Sequence, residues 1–325
     1  MRKFSLFFTI IALLLSIANG SCQLKNRQAR KSADGQLHGA INLKSNIPFD
    51  SSLVTVFYQS YPLLSKYKKD VFTVYREHHF HHIWFDEKGV VEFGQTLYNK
   101  ANDLKDDGVS SRFPYQEKVD GVFDNEIENT LSKTETELML TNLYLFYTEK
   151  VYKGIDEDST TAIGWLLPRK KVSYTSLLDS TMLNPDLLNK DEKVLFSQYY
   201  KLREVLKRYR DIEKNGGWNM IDQDPELKAY KPGDTAKAIR QIRERLFVTG
   251  DLKQNSGSNQ YDPELVVAVE KYQNRNGYNP GKLISREHIR EMNVPIGDRI
   301  RKIIVNMERC RWISPEFAKA KAYIV

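Results

Sequence analysis

The chain has 325 residues, 41% of them hydrophobic and 28% charged, with 49 basic against 42 acidic side chains and a formal net charge of +7. That is ordinary for a soluble globular protein of about two domains. The positive excess is spread along the chain, with no Lys/Arg block interleaved with aromatics, so nucleic acid is excluded as the natural partner while an anionic polymer is permitted. The only cysteines are Cys22 and Cys310, so there is no disulfide framework if Cys22 is otherwise engaged.

The first residues, MRKFSLFFTIIALLLSIANGSCQ, have a basic start, an apolar run from Phe4 to Ala18 and then small residues. This is a secretory signal pattern over 1–21, too short for a comfortable membrane span. Asn19-Gly20-Ser21-Cys22 resembles a lipoprotein processing site, in which the Cys becomes the lipidated N-terminus; Asn19 departs from the usual aliphatic residue. Lipidation of Cys22 is expected, with plain secretion and an uncleaved anchor as alternatives. Export to the periplasm or cell envelope is expected in each case. Residues 22–50 read as a polar, flexible tether.

From Ser51 onward apolar residues recur at helical spacing. SLVTVFYQSY and LLSKYKKDVFTVYREH predict helices, the second with Leu64, Tyr67, Val71, Val74 and Tyr75 on one side. GVVEFGQTLYNKANDLKDDG predicts another, closed by Gly108, and Asp124 to Lys153 predicts a long one. DEKVLFSQYYKLREVLKRYRDIEKNGG predicts a helix stopped by Gly216-Gly217. A second unit begins near Asp222. TAKAIRQIRERLFVTG places Ile239, Ile242, Leu246 and Phe247 on one face. In YDPELVVAVEKYQNRNG, Asp262 is an N-cap, Pro263 the first helical residue and Gly277 the stop, with Leu265, Val266, Val269 and Tyr272 as the apolar stripe. SREHIREMNV predicts a short third helix, and PIGDRIRKIIVNMERCRWI a strongly amphipathic last one. No stretch sustains a two-residue alternation, so the fold class is mostly α.

Several residues invite chemical readings. In REHHFHHIWFDEKG, a helix would place His78 and His82 on one face at a spacing that suits zinc, with Asp86 or Glu87 as a third ligand. A solvated helix end with incidental histidines is the preferred reading of the run, since no Glu follows the first His as a base and no distant Cys/His cluster completes a shell. Cys310 lies between Arg309 and Arg311, and flanking cations can activate a thiol. A cysteine nucleophile also needs a His base, and the nearest, His288, sits in another helix, so a partly buried helix face is the plainer reading. Asp106-Asp107 and the acidic run DEDS read as solvated turns. There is no phosphate-cradling glycine loop, no G-x-S-x-G and no H-E-x-x-H. No catalytic residue, metal or cofactor is expected.

The segment YDPELVVAVEKYQNRNGYNPGKLISREHIREMNVP resembles the small three-helix peptidoglycan-binding domain, through Ala268-Val269, Tyr272-Gln273, Gly277 and Met292-Asn293. It departs from that family at Asn279-Pro280-Gly281, usually Asp-Gly, and at His288, usually Thr. The ordered set IWFDEKGVVEFGQTLYNKANDLKDDGV, LLPRKKVSYTSLL, LREVLKRYRDIEKNGGW and VPIGDRIRKIIVNMERCRWI is similar to the scaffold and wall-binding regions of large L,D-transpeptidases. Trp84, Gly108, Gly216-Gly217-Trp218, Asn306, Glu308, Arg309, Arg311 and Trp312 carry that resemblance. It implies a helical scaffold over 51–221, a peptidoglycan-binding domain over 222–294, a helix returning to the scaffold over 295–314, and over 315–325 the start of a truncated β-rich catalytic domain. In that family the catalytic domain carries a Ser-His-Gly-Cys type motif, which occurs nowhere in this sequence. The expected ligand is peptidoglycan, bound by exposed Tyr272, Gln273, Asn276 and Tyr278, with Tyr272 as a core residue the alternative. A stand-alone peptidoglycan-binding lipoprotein is the alternative to a scaffold lacking its catalytic domain. Ala320 to Val325 is expected to be loosely held.

Overall fold

The computed structural model describes residues 47–165, 169–191 and 193–316. The expected signal segment, Cys22, the tether as far as Asn46 and the Ala320 to Val325 run lie outside the described residues. The chain is mostly helical. In chain order come α1 (Leu53–Ser60), α2 (Lys68–Glu77), the strands β1 (Phe85–Asp86) and β2 (Gly89–Val90), α3 (Glu92–Asn102), α4 (Gln116–Phe123) and α5 (Lys133–Thr148). Then follow α6 (Glu157–Ala162), α7 (Tyr174–Leu183), α8 (Gln198–Lys214), β3 (Ala229–Tyr230), α9 (Lys237–Val248), α10 (Pro263–Arg275), β4 (Ile284–Ser285), α11 (Arg286–Met292) and α12 (Ile296–Trp312). Contacts divide the described chain into one unit of 47–101, 113–146 and 173–189 and another of 102–112, 147–165, 169–172 and 190–316, without 192.

In the first unit the stripe Leu64, Tyr67, Val71, Val74 and Tyr75 is wholly buried, as helical spacing demands of an amphipathic element. Helix α2 stops at Glu77 because His79 and Phe80 take left-handed φ values of 52° and 56°. The turn is tied down by backbone: Phe49 donates to the Phe80 carbonyl at 2.7 Å and His82 to the Ile47 carbonyl at 2.9 Å. Strands β1 and β2 form an antiparallel hairpin with Phe85 opposite Val90. The 89–108 segment, expected to be one helix, is therefore a strand, α3, and a 3₁₀ turn over Leu104–Asp107. The long helix expected from Asp124 starts only at Lys133. Asp124 and Asn129 instead cap the backbone N–H groups of Glu126 and Leu131, both at 3.0 Å. Ser132 and Glu135 then form a reciprocal capping box that starts α5.

In the second unit α8 and α12 lie against one another. At the far end of α12 the Arg311 side chain, 1% exposed, is held on every side. Its Nε donates to the Val151 carbonyl at 3.0 Å, Nη2 to the Asp107 carbonyl at 2.6 Å, and Nη1 to Glu308 Oε2 at 2.7 Å. Glu308 Oε1 accepts from the Ile155 N–H at 2.7 Å and from the Trp312 indole at 2.9 Å. Two glycines admit this packing: Gly108 at φ 72° faces Ile304, and a Cβ on Gly154 would lie 2.1 Å from Glu308 Oε1. Helices α9 to α11 share a core that includes Ile239, Ile242, Leu246, Leu265, Val269, Ile289 and Met292. The β3–β4 pair, with Tyr230 opposite Ile284, joins the segment before α9 to the start of α11. The mostly α expectation holds; the hairpin β1–β2 and the β3–β4 pair, at two residues a strand, are too short to leave an alternating pattern.

Candidate functional site

Helix α10 begins as its sequence requires: Asp262 accepts from the Leu265 N–H at 2.9 Å and Pro263 follows it. It ends before Gly277, whose φ is 77°. Of the four residues expected to be exposed here, Tyr272 and Gln273 are buried, 4% and 2% exposed, and that expectation is corrected. Tyr272 stands one helical turn from Val269 and Ala268 and two from Leu265, so it falls on the stripe that fills the core. Gln273 is consumed locally: its Nε2 donates to the Leu283 carbonyl at 2.8 Å and its Oε1 accepts from the Gly281 N–H at 2.7 Å, fixing the Asn279-Pro280-Gly281 turn. Asn276 and Tyr278 are half-buried and do reach the surface. The Tyr278 ring meets His288 edge-on at 4.6 Å, and His288 Nδ1 accepts from the Ser285 N–H at 3.1 Å. Burial holds the His288 imidazole below its usual range.

A cleft of about 510 Å³ opens beside the start of α9, between Asp222, Asp224, Leu227, Tyr230 and Asp234. Asp222 accepts from Lys237 Nζ at 2.8 Å and from Gln241 at 3.2 Å, and these hydrogen bonds lower its carboxyl pKa. The sequence reading missed this cleft because it is built from a loop without periodic pattern.

The other candidates resolve differently. Cys310 is buried, and that burial outweighs the neighbouring Arg311 charge and pushes its thiol up to about 11. It is a protonated core thiol at neutral pH. With α2 ended at Glu77, His78 and His82 share no helical face. His78 Nε2 lies 3.0 Å from Asp179. His82 is buried, its Nδ1 3.0 Å from Glu137 Oε2 without hydrogen-bond alignment. Among the described residues no three metal-ligating side chains cluster, and no helix is long and apolar enough to cross a membrane.

Lys170 is a group that sequence gave no reason to single out. Its Nζ donates to the Val194 carbonyl, and burial, with Arg311 and Arg169 nearby, lowers its pKa to about 7 against the pull of Asp191. A lysine depressed in the folded state binds fewer protons folded than unfolded between about 7 and its ordinary 10.5, so stability rises with pH across that window. Lys170→Met is therefore expected to be stabilised relative to wild type below pH 7 by at least about 1.4 kcal/mol, one pKa unit. The advantage should shrink as pH rises toward 10, which urea unfolding at several pH values measures; a difference independent of pH contradicts it.

The geometry defines a mostly helical protein in which helices α9 to α11 share one core. Residues 69–206 match the family model of the Scaffold domain, the scaffold of L,D-transpeptidases. The chain is also similar to the leucyl/phenylalanyl-tRNA–protein transferase of Zymomonas mobilis subsp. mobilis, 26% identical over 116 residues, 35% of this chain and 41% of that protein. The chain thus spans about two-fifths of the length of the curated relative it matches.

Proposed function

We propose that this chain is the scaffold and wall-binding part of an exported, L,D-transpeptidase-like peptidoglycan cross-linking protein. The Scaffold-domain match over residues 69–206 carries the reading. The three-helix unit and the α12 helix that follow it in sequence support it, because they come in the order that the resemblance requires. The ligand is peptidoglycan. Tyr278, beside His288, offers it an aromatic edge, and Asn276 offers its side-chain carbonyl, its Nδ2 being bonded to the Tyr272 carbonyl at 2.8 Å. Lipidation of Cys22 would hold the protein at the membrane, since several acyl chains anchor where one is marginal. A stand-alone, non-catalytic peptidoglycan-binding lipoprotein is the second reading. The buried, protonated Cys310 fits both readings, because neither makes it the nucleophile.

Sedimentation with purified sacculi tests the wall reading. The wild type is expected to pellet with sacculi. Tyr278→Ala and Asn276→Ala should weaken binding by about 1–2 kcal/mol each, roughly fivefold to thirtyfold. Wild-type protein that stays in the supernatant would overturn the reading.

A further inference from the structure

Three arginines are buried among the described residues, and two have carboxylate partners. Arg243 meets Asp262 at 2.6 Å and Glu264 at 3.3 Å, and Arg311 meets Glu308 at 2.7 Å. Arg245, 4% exposed, meets none. Its Nη2 donates to the Asn219 carbonyl at 2.7 Å, its guanidinium lies 4.4 Å from the Trp218 ring centroid, and its Nε has no hydrogen-bond partner. Burial and the Arg299 charge lower its pKa only to about 10, so it stays cationic at neutral pH. A buried cation without a counter-charge is costly, and proteins ordinarily pair such groups. The Arg245 side chain lines a pocket of about 250 Å³. Its other walls are Gly217, Trp218, Asn219, the amides of Gln241 and Asn255, the half-exposed apolar side chains of Phe247 and Val248, and Glu244, whose carboxylate is paired with Arg240 at 3.3 Å.

We propose that this pocket binds the terminal carboxylate of a short peptide, which supplies the counter-charge Arg245 lacks. A carboxylate in the pocket would lie beside the Arg245 guanidinium, and a charge-assisted hydrogen bond to that group is stronger than one from a neutral acceptor. Gln241 and Asn255 match a peptide's N–H and carbonyl groups, and Phe247 and Val248 suit a small alkyl side chain. That combination favours a peptide end over a sugar-borne carboxylate. The volume is below the roughly 300–1,000 Å³ of drug-sized sites, which suits a dipeptide end. The proposal rests on the wall-binding reading only for the polymer that carries the peptide.

Titration of the full chain with alanyl-alanine, its C-terminal amide and glucuronate, followed by the indole N–H resonance of Trp218 (assigned with Trp218→Phe), tests it. The free dipeptide is expected to shift that resonance and to bind at least about tenfold tighter than the amide. Arg245→Gln should abolish the difference. Phe247→Ala, on an exposed side chain, should weaken dipeptide binding severalfold without unfolding the protein. Equal binding of dipeptide and amide, a preference for glucuronate, or no response at millimolar dipeptide each overturns the proposal. The wild-type comparison of dipeptide with amide needs no variant to fold. Failure here with wild-type protein still pelleting on sacculi refutes the pocket alone; a dipeptide response without pelleting refutes the wall reading alone.

Discussion

Arg311→Ala is expected to cost the second unit about 3–5 kcal/mol, the range for breaking a buried, hydrogen-bonded charge. The guanidinium holds the Val151 and Asp107 carbonyls, and neither has another means of reaching Arg311's position once the side chain is gone. Glu308 keeps the Ile155 N–H and the Trp312 indole but loses its cation. The effect extends to Tyr199, whose ring lies 5.2 Å from the guanidinium and whose hydroxyl donates to Asp107 Oδ1 at 2.7 Å. Burial and the Asp107 charge hold that hydroxyl well above its usual pKa, so it remains a donor. Arg311→Lys should recover only part of the loss, because an ammonium cannot meet three acceptors in the planar fork. Urea unfolding measures the cost, and hydrogen exchange at the Ile155 amide locates it. A loss below about 1 kcal/mol for the alanine variant would mean that the three hydrogen bonds are not what holds this end of α12.

The same network shows what the sequence could and could not disclose. Glu308, Arg311 and Trp312 stood out through resemblance, but nothing in NMERCRWI says that their partners are the backbone of Asp107, Val151 and Ile155, more than 150 positions away. Helical faces were largely legible, because an apolar stripe must be buried: Val71, Val74 and Tyr75 of α2 are buried, as are Leu64 and Tyr67 just before it, although Phe247, expected on the inner face of α9, is 46% exposed. The ends of α10 were legible as well, since Asp262, Pro263 and Gly277 act through their own backbone. The start of α5 could have been read and was not: Ser132-Lys133-Thr134-Glu135 has the spacing of a capping box. Tyr272 was read on the apolar stripe with core as the alternative, and its burial decides for that alternative. By contrast, the left-handed His79-Phe80 pair lacks the glycine that would have announced it. Arg245 becomes distinctive only when Trp218, 27 positions earlier in the chain, is laid over it.

Glu137→Ala is expected to destabilise the first unit by an amount comparable to the Arg311 change, again about 3–5 kcal/mol. Glu137 is 0% exposed in the second turn of α5, a helix buried on all sides from Thr136 to Thr148. Its Oε1 accepts the Ile83 N–H at 2.7 Å and the Tyr75 hydroxyl at 3.0 Å, and its Oε2 accepts the Trp84 N–H at 3.2 Å. The two backbone donors, Ile83 and Trp84, follow the His79-Phe80 turn that ends α2, so the carboxyl group substitutes for the backbone acceptors that an irregular buried segment lacks. Alanine would strand two backbone donors at about 1–3 kcal/mol each, and would leave a cavity beneath Trp84. Tyr75 would fare better, because its hydroxyl also lies 2.9 Å from Thr141 Oγ1. Glu137→Gln keeps one carbonyl oxygen for the Ile83 and Trp84 donors but turns an amide toward another donor, so it should recover part of the stability and not all of it. The Trp84 indole, bonded to Thr141 Oγ1 at 2.8 Å, is a local reporter, because loss of the turn exposes it to water. Both variants should shift the denaturation midpoint, with alanine the larger, and the alanine variant should red-shift the tryptophan emission. An alanine variant within about 1 kcal/mol of wild type would show that water or a rearranged turn satisfies those N–H groups, and that Glu137 does not hold this irregular segment in place.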